Sequence, residues 1–227
     1  MTKPVTKEPQ YSVCLEHQER TGRTEFGLMS GYCWDTDPKR LAFVLSRYKF
    51  VAKMLAGLDR VLEVGCADAF GTRLVMAECG QVTALDFDPV FIEDARRRAR
   101  PGENAQYLVH DMLAGEAPGG PYDGAYSLDV LEHIDAAQEG LFLGNVVRSL
   151  TPKGVLVLGM PSLESQKHAS PASKAGHVNC KTQADLKALL LRYFANVFVF
   201  SMNDEVVHTG FYPMANYLLA LCCLPAK

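Results

Sequence analysis

Glu63, Gly65 and Asp86 are the residues around which chemistry can be built in this chain. Val61-Leu-Glu-Val-Gly65-Cys-Ala-Asp-Ala69-Phe-Gly-Thr72 reads as a short apolar strand, a turn of small residues and the start of a helix. A strand that turns tightly into a helix presents backbone N–H groups and a positive helix end to a ligand. A second apolar run, Val82-Thr-Ala-Leu85, ends in Asp86. An acid at a strand tip about 20 residues beyond such a turn is placed to hold ribose hydroxyls. The combination implies a nucleoside-containing cofactor. Plainer roles compete with this one. Glu63 could cap something local, and Asp86 could be the N-cap of a helix starting near Pro89, although Asp88 is better placed for that.

The spacing argues against a dinucleotide. A G-x-G-x-x-G pattern begun at Gly65 meets Ala67 and Phe70, and a Phe at the third position spoils close helix–strand packing. The other register, acid-x-G-x-G-x-G from Glu63, resembles motif I of the class I S-adenosylmethionine-dependent methyltransferases. Ala67 and Ala69 stand where that family usually has glycine. Further segments resemble the family in the right order over residues 58–162. Tyr107-Leu-Val-His-Asp111-Met112 is similar to its third strand. Tyr122-Asp-Gly-Ala-Tyr-Ser-Leu-Asp-Val-Leu-Glu-His-Ile134 is similar to its fourth strand, ending in the Leu-Glu-His-Ile motif of small-molecule enzymes. Leu150-Thr-Pro-Lys-Gly154 is similar to the turn before its fifth strand.

The resemblance implies S-adenosylmethionine as cofactor, S-adenosylhomocysteine as product, and a set of binding residues. The turn 65–71, with Gly65, Cys66 and Ala67, would hold the methionine end, its amides facing the carboxylate, and Glu63 would orient the amino group. Asp86 and Phe87 would take the ribose side, Asp111 and Met112 would flank adenine, and Leu128 would line the site from the fourth strand. Arg47 either reaches the cofactor carboxylate or is a solvated helix arginine.

These residues must be positioned by alternating strands and helices. Apolar residues recur at helical spacing from Pro38 to Leu55, behind an Asp37-Pro38 start signal. Strands are expected at 60–65, 81–86, 105–109, 123–128 and 154–160, and helices at 70–79, 89–99 and 136–149. The fold class is therefore α/β: a doubly wound, mainly parallel sheet. The resemblance implies seven strands, the last antiparallel. Residues 1–37 read as a loosely structured N-terminal arm or cap, and 38–227 as one domain. Residues 161–181 are rich in Ser, Pro and Gly and follow the fifth strand, the place for a substrate loop. A helix (182–191) and strands (196–200, 216–222) close the chain.

Bulk properties narrow the partners. The net charge of −3 and pI near 6.1 give no electrostatic case for nucleic acid. The run Arg96-Arg97-Arg98 with Arg100 reads as a solvated face complementing a helix C-terminus. Seven cysteines without a C-x-x-C pair, no apolar leader and no apolar stretch of spanning length suit a reducing cytoplasm and no membrane. The N-terminal arm and the last strand could each support a homodimer.

The acceptor side rests on histidines, the residues matched to proton transfer at neutral pH. Of six, His177 in Gly176-His-Val-Asn179 and His133 are the candidate catalytic bases, and His208 is a weaker one. His177 sits in a segment resembling the His-x-Asn of many small-molecule methyltransferases. Asp129 could serve as base or assist a cation, but a metal is not expected, because no second and third ligand are evident from spacing. Cys14, His17 and Cys33 resemble a partial zinc set without a fourth ligand. The expected activity is O-methylation of a small hydroxylated metabolite, such as a sugar, a nucleotide sugar or a natural product. An N-methyltransferase acting on a small amine and a non-catalytic partner that binds the cofactor are the competing readings.

Overall fold

A computed structural model describes residues 4–226; positions 1–3 of the N-terminal arm and position 227 lie outside the described residues. The sheet grows from the runs expected to be strands. β1 (Arg60–Val64), β2 (Gln81–Asp86), β3 (Ala105–Val109), β4 (Tyr122–Leu128) and β5 (Leu150–Pro161) are parallel. β6 (Phe194–Asn203) and β8 (Tyr217–Pro225) follow, with β8 antiparallel to both β5 and β6. The order is β3-β2-β1-β4-β5-β8-β6-β7. The seven expected strands are joined by an eighth, the three-residue β7 (Val206–His208), which hairpins onto the edge of β6.

Both faces of β1 are covered, which is why it reads as a continuous apolar run. Its pleat divides the core. Leu62 and Val64 point to the layer of α6 (Glu139–Arg148) and α8 (Gln183–Leu190). Val61 points to the layer of α3 (Pro38–Met54) and α4 (Thr72–Met76), beside Tyr48, Val51 and Leu55. Glu63 shares the parity of Val61, so it enters the α3–α4 layer. Ala84 packs on Ile92 and Ala95 of α5 (Pro89–Arg98), whose N-cap is Asp88, accepting from the Val90 amide.

The N-terminal arm is more ordered than its composition suggests. It forms α1 (Ser12–Thr21) and α2 (Leu28–Thr36). Asp68 accepts from both the amide and hydroxyl of Ser30, and Asp94 accepts from the Leu28 amide, so two acids satisfy the start of α2. The arginine run is correspondingly not a free face. Arg97 pairs with Glu25, Arg100 donates to Thr24, and Arg98 is held by Asp94 and the Asp68 carbonyl. Residues 161–181 hold a 3-10 turn (Glu164–His168) and α7 (Pro171–Gly176), closed at their base by a bridge between Ser162 and Lys181.

Candidate active site

The turn after β1 is built on left-handed backbone. Gly65 has φ +78°, and Ala67 and Ala69 have φ +45° and +53°. Each alanine gives up about 1–2 kcal/mol relative to an ordinary conformation, at the positions where the sequence comparison called for glycine. A Cβ on Gly65 would lie 2.2 Å from Val130 Cγ2. The amides of Gly65 and Cys66 donate to the Leu85 carbonyl, Ala67 donates to Asp86, Ala69 to the Cys66 carbonyl and Phe70 to Asp68. Those five amides, expected to face a ligand carboxylate, are thus committed within the chain, because the turn folds back onto the end of β2.

Asp86 is buried, with Oδ2 accepting from Ala67 (2.8 Å) and Oδ1 from the Asp88 amide (2.9 Å). Beside it Phe87 is 73 % exposed, an apolar ring open at the sheet edge. Asp111 lies one strand over, its carboxylate accepting from Leu113, with Met112 buried and its carbonyl held by Asn145. Cys66 and Leu128 are buried, and burial pushes the Cys66 thiol far up.

Glu63 does not open toward that edge. Its oxygens accept from Tyr48 (2.9 Å) and Thr72 (2.6 Å) inside the α3–α4 layer. Burial pushes its pKa up to about 7, against the help of those hydroxyls. The unfolded chain releases this proton near the ordinary glutamate value of 4.5. The contribution is therefore fully present below about pH 4.5 and lost as pH rises through about 7. Glu63→Gln is expected to flatten the fall in melting temperature across that window, and an unchanged slope by calorimetry would remove Glu63 as its cause. Tyr48, whose ring also fills the space a Cβ on Gly71 would need, carried no signal in the sequence beyond helical periodicity.

Beyond β4 the chain turns at Asp129, again left-handed at φ +57°. Arg47 reaches it from α3, with Nη1 at 2.9 and 2.8 Å from the two carboxylate oxygens and the guanidinium 3.8 Å above the Tyr217 ring. Arg47 is therefore neither solvated nor unpaired, and its Nε is buried without a partner. Next comes Glu132, fully buried, with neither carboxylate oxygen hydrogen-bonded. Burial, reinforced by Asp129, pushes its pKa up to about 9.

His133 and His177 meet here, their rings 5.2 Å apart. Burial and the neighbouring His133 lower the His177 pKa, keeping the ring neutral at pH 7. The Val178 and Asn179 amides donate to the Glu132 carbonyl at 2.8 and 3.0 Å, which ties the 161–181 segment to this corner. His208 lies on β7, bonded to Asn203, and His110 contacts the Gly115 carbonyl. Neither joins the pair. Among the described residues, Glu132, His133 and His177 are the group whose ligand atoms converge, within 4.8 Å of one another. Cys14, His17 and Cys33 form no such group. The spacing argument against a metal missed this set because 44 positions separate His177 from His133.

Residues 61–154 match a family model described as a methyltransferase domain. A 2-methyl-6-phytyl-1,4-hydroquinone methyltransferase of Synechocystis is 27% identical over 152 residues, 60% of this chain and 47% of that protein. A ubiquinone biosynthesis O-methyltransferase of Xanthomonas euvesicatoria is 31% identical over 123 residues, 48% of each chain. The chain thus spans about half the length of these curated relatives. The crystal structure of the N-methyltransferase NodS from Bradyrhizobium japonicum with S-adenosylhomocysteine superposes with a TM-score of 0.63 at 20% identity, covering 93% of this chain and 98% of that one. Among the described residues no helix is long and apolar enough to cross a membrane.

Proposed function

We propose that residues 61–154, which match a methyltransferase domain, are of the class I, S-adenosylmethionine-dependent kind, and that the chain methylates an oxygen of a small hydroxylated metabolite. The residues present fit that cofactor. The Asp86 carboxylate keeps lone pairs for ribose hydroxyls beside the open Phe87 ring, Asp111 and Met112 would flank the base, and the unpartnered Arg47 Nε is a donor for a carboxylate. Bound S-adenosylmethionine supplies an electrophilic methyl on a sulfonium, leaving S-adenosylhomocysteine. The chain has to bind and align the acceptor, exclude water and take the hydroxyl proton.

The observation that carries the oxygen reading is His177. Its Nδ1 lies 2.7 Å from the Gln166 side-chain oxygen, and the Gln166 amide nitrogen is committed to Ser162 and Ser165. Nδ1 therefore carries the hydrogen and Nε2 keeps a lone pair that can accept a proton. Burial keeps this ring neutral, as a base must be. His133, Glu132 and the segment 161–181 complete the acceptor side, while residues 4–37 cap the cofactor side. The low net charge favours a small acceptor over nucleic acid. The relative named an O-methyltransferase is consistent with this. The likeness to NodS, named an N-methyltransferase, favours an amine as the second reading.

An acceptor screen read by S-adenosylhomocysteine release, repeated with His177→Ala, tests both. Loss of about 10²-fold in kcat with a hydroxyl acceptor is the expected result. Turnover of an amine that survives the substitution identifies an N-methyltransferase, because an amine is already nucleophilic. No release with any acceptor leaves only a binding protein.

A further inference from the structure

We propose that Glu132, His133 and His177 form a binding site for a divalent first-row transition cation. Three features converge on it. One ligand atom from each residue lies within 4.8 Å of the others, close enough to share an ion. Both oxygens of Glu132 are buried with no donor, although the side chain is fully enclosed; such groups nearly always find a partner. And both imidazoles are already oriented by their far nitrogens. His133 Nδ1 is 2.8 Å from the Gly176 carbonyl and His177 Nδ1 is 2.7 Å from the Gln166 oxygen. A carbonyl only accepts, so each Nδ1 donates and each Nε2 is left as the free ligand nitrogen. Metal-bound histidines are held by outer partners in this same way.

Two imidazoles and one carboxylate suit zinc, iron(II), cobalt or manganese better than magnesium or calcium, which favour all-oxygen shells. Three protein ligands leave coordination positions open. Asp129 is not counted, because Arg47 holds both of its oxygens. The amides of Val178 and Asn179 on the Glu132 carbonyl stop His177 from swinging away. Resting on the O-methylation reading, an open position takes the acceptor hydroxyl, whose acidity the cation raises. His177 Nε2 then serves as a ligand, and the proton leaves to solvent.

Cobalt(II) titration of the full chain, followed by visible absorption and by competition with zinc, tests the site. Wild type is expected to bind one ion, and Glu132→Gln and His177→Ala to lose it. Gln166→Leu, which leaves all three ligands in place, is expected to weaken binding by about 10- to 100-fold. Retained S-adenosylhomocysteine binding shows that each variant is folded. Absence of a stoichiometric cobalt band in wild type, or its persistence in both ligand variants, overturns the proposal. So does a metal-stripped wild type that keeps its full rate while His177→Ala loses it, an outcome that leaves His177 as the direct base. Intact cobalt binding in a chain that methylates only amines keeps the site and removes the oxygen reading.

Discussion

Asp86→Ala is expected to lower affinity for S-adenosylhomocysteine by about 10²- to 10⁴-fold. Two ribose hydroxyls donating to one carboxylate make two hydrogen bonds to a charged group, each worth about 1.5–3 kcal/mol. Each 1.4 kcal/mol is a factor of ten. The same substitution frees the Ala67 and Asp88 amides, which now donate to Oδ2 and Oδ1 at 2.8 and 2.9 Å. The turn would loosen at Ala67, a residue already held at φ +45°. Asp86→Asn separates the contributions, since its oxygen can still accept from Ala67 while the charge is gone. Asp88→Ala is the control: it removes the cap on the Val90 amide, costing about 1 kcal/mol of stability but no affinity. Isothermal titration decides the matter. Asp86→Ala binding within about threefold of wild type would move the ribose site elsewhere, because a single neutral hydrogen bond already accounts for that much.

What the chain reveals before folding, and what it hides, follows from the range of the interactions. β2 and β3 begin and end where the sequence placed them, at 81–86 and 105–109, because the cues of a short apolar run are local. The Asp88 cap was legible for the same reason. The α4 helix is shorter than the expected 70–79: Gly71, packed against the Tyr48 ring, is its N-cap and Ala77 its C-cap. The helices of the N-terminal arm show weak periodicity. Their order comes from Asp68 and Asp94 at the start of α2 and from Arg97 and Arg100 on the loop before it, contacts tens of residues away that no window of sequence contains. The Arg47–Asp129 pair and the Glu132–His133–His177 corner are of the same kind. Arg47, Asp129, His133 and His177 were each marked by their own segments, but their partners were not, and only the sheet edge brings them together with Glu132. Glu63 illustrates the opposite error. Its motif was legible, but the period-2 pleat of β1 sends its carboxylate into the helix layer rather than toward the strand ends.

Gly65→Ala is expected to cost about 2–5 kcal/mol of folding stability, a large share of what a domain of this size possesses. Two independent penalties combine. The left-handed backbone at φ +78° costs a non-glycine residue about 1–2 kcal/mol. The added methyl would sit 2.2 Å from Val130 Cγ2, and forcing an extra carbon into a packed corner costs about 1–3 kcal/mol more. Val130 is β-branched, so it has little rotamer freedom with which to withdraw. A double-mutant cycle in urea separates the two parts. In a Val130→Ala background the clash is relieved while the backbone penalty stays, so Gly65→Ala should then cost only about 1–2 kcal/mol. An undiminished cost in that background would place the whole effect in the backbone, and no cost in either would mean that the turn rearranges freely. The second result would matter beyond stability. Val130 sits between the cofactor turn and the corner that carries Glu132 and His133, so a rigid contact from Gly65 to Val130 is what sets the distance between the two halves of the site.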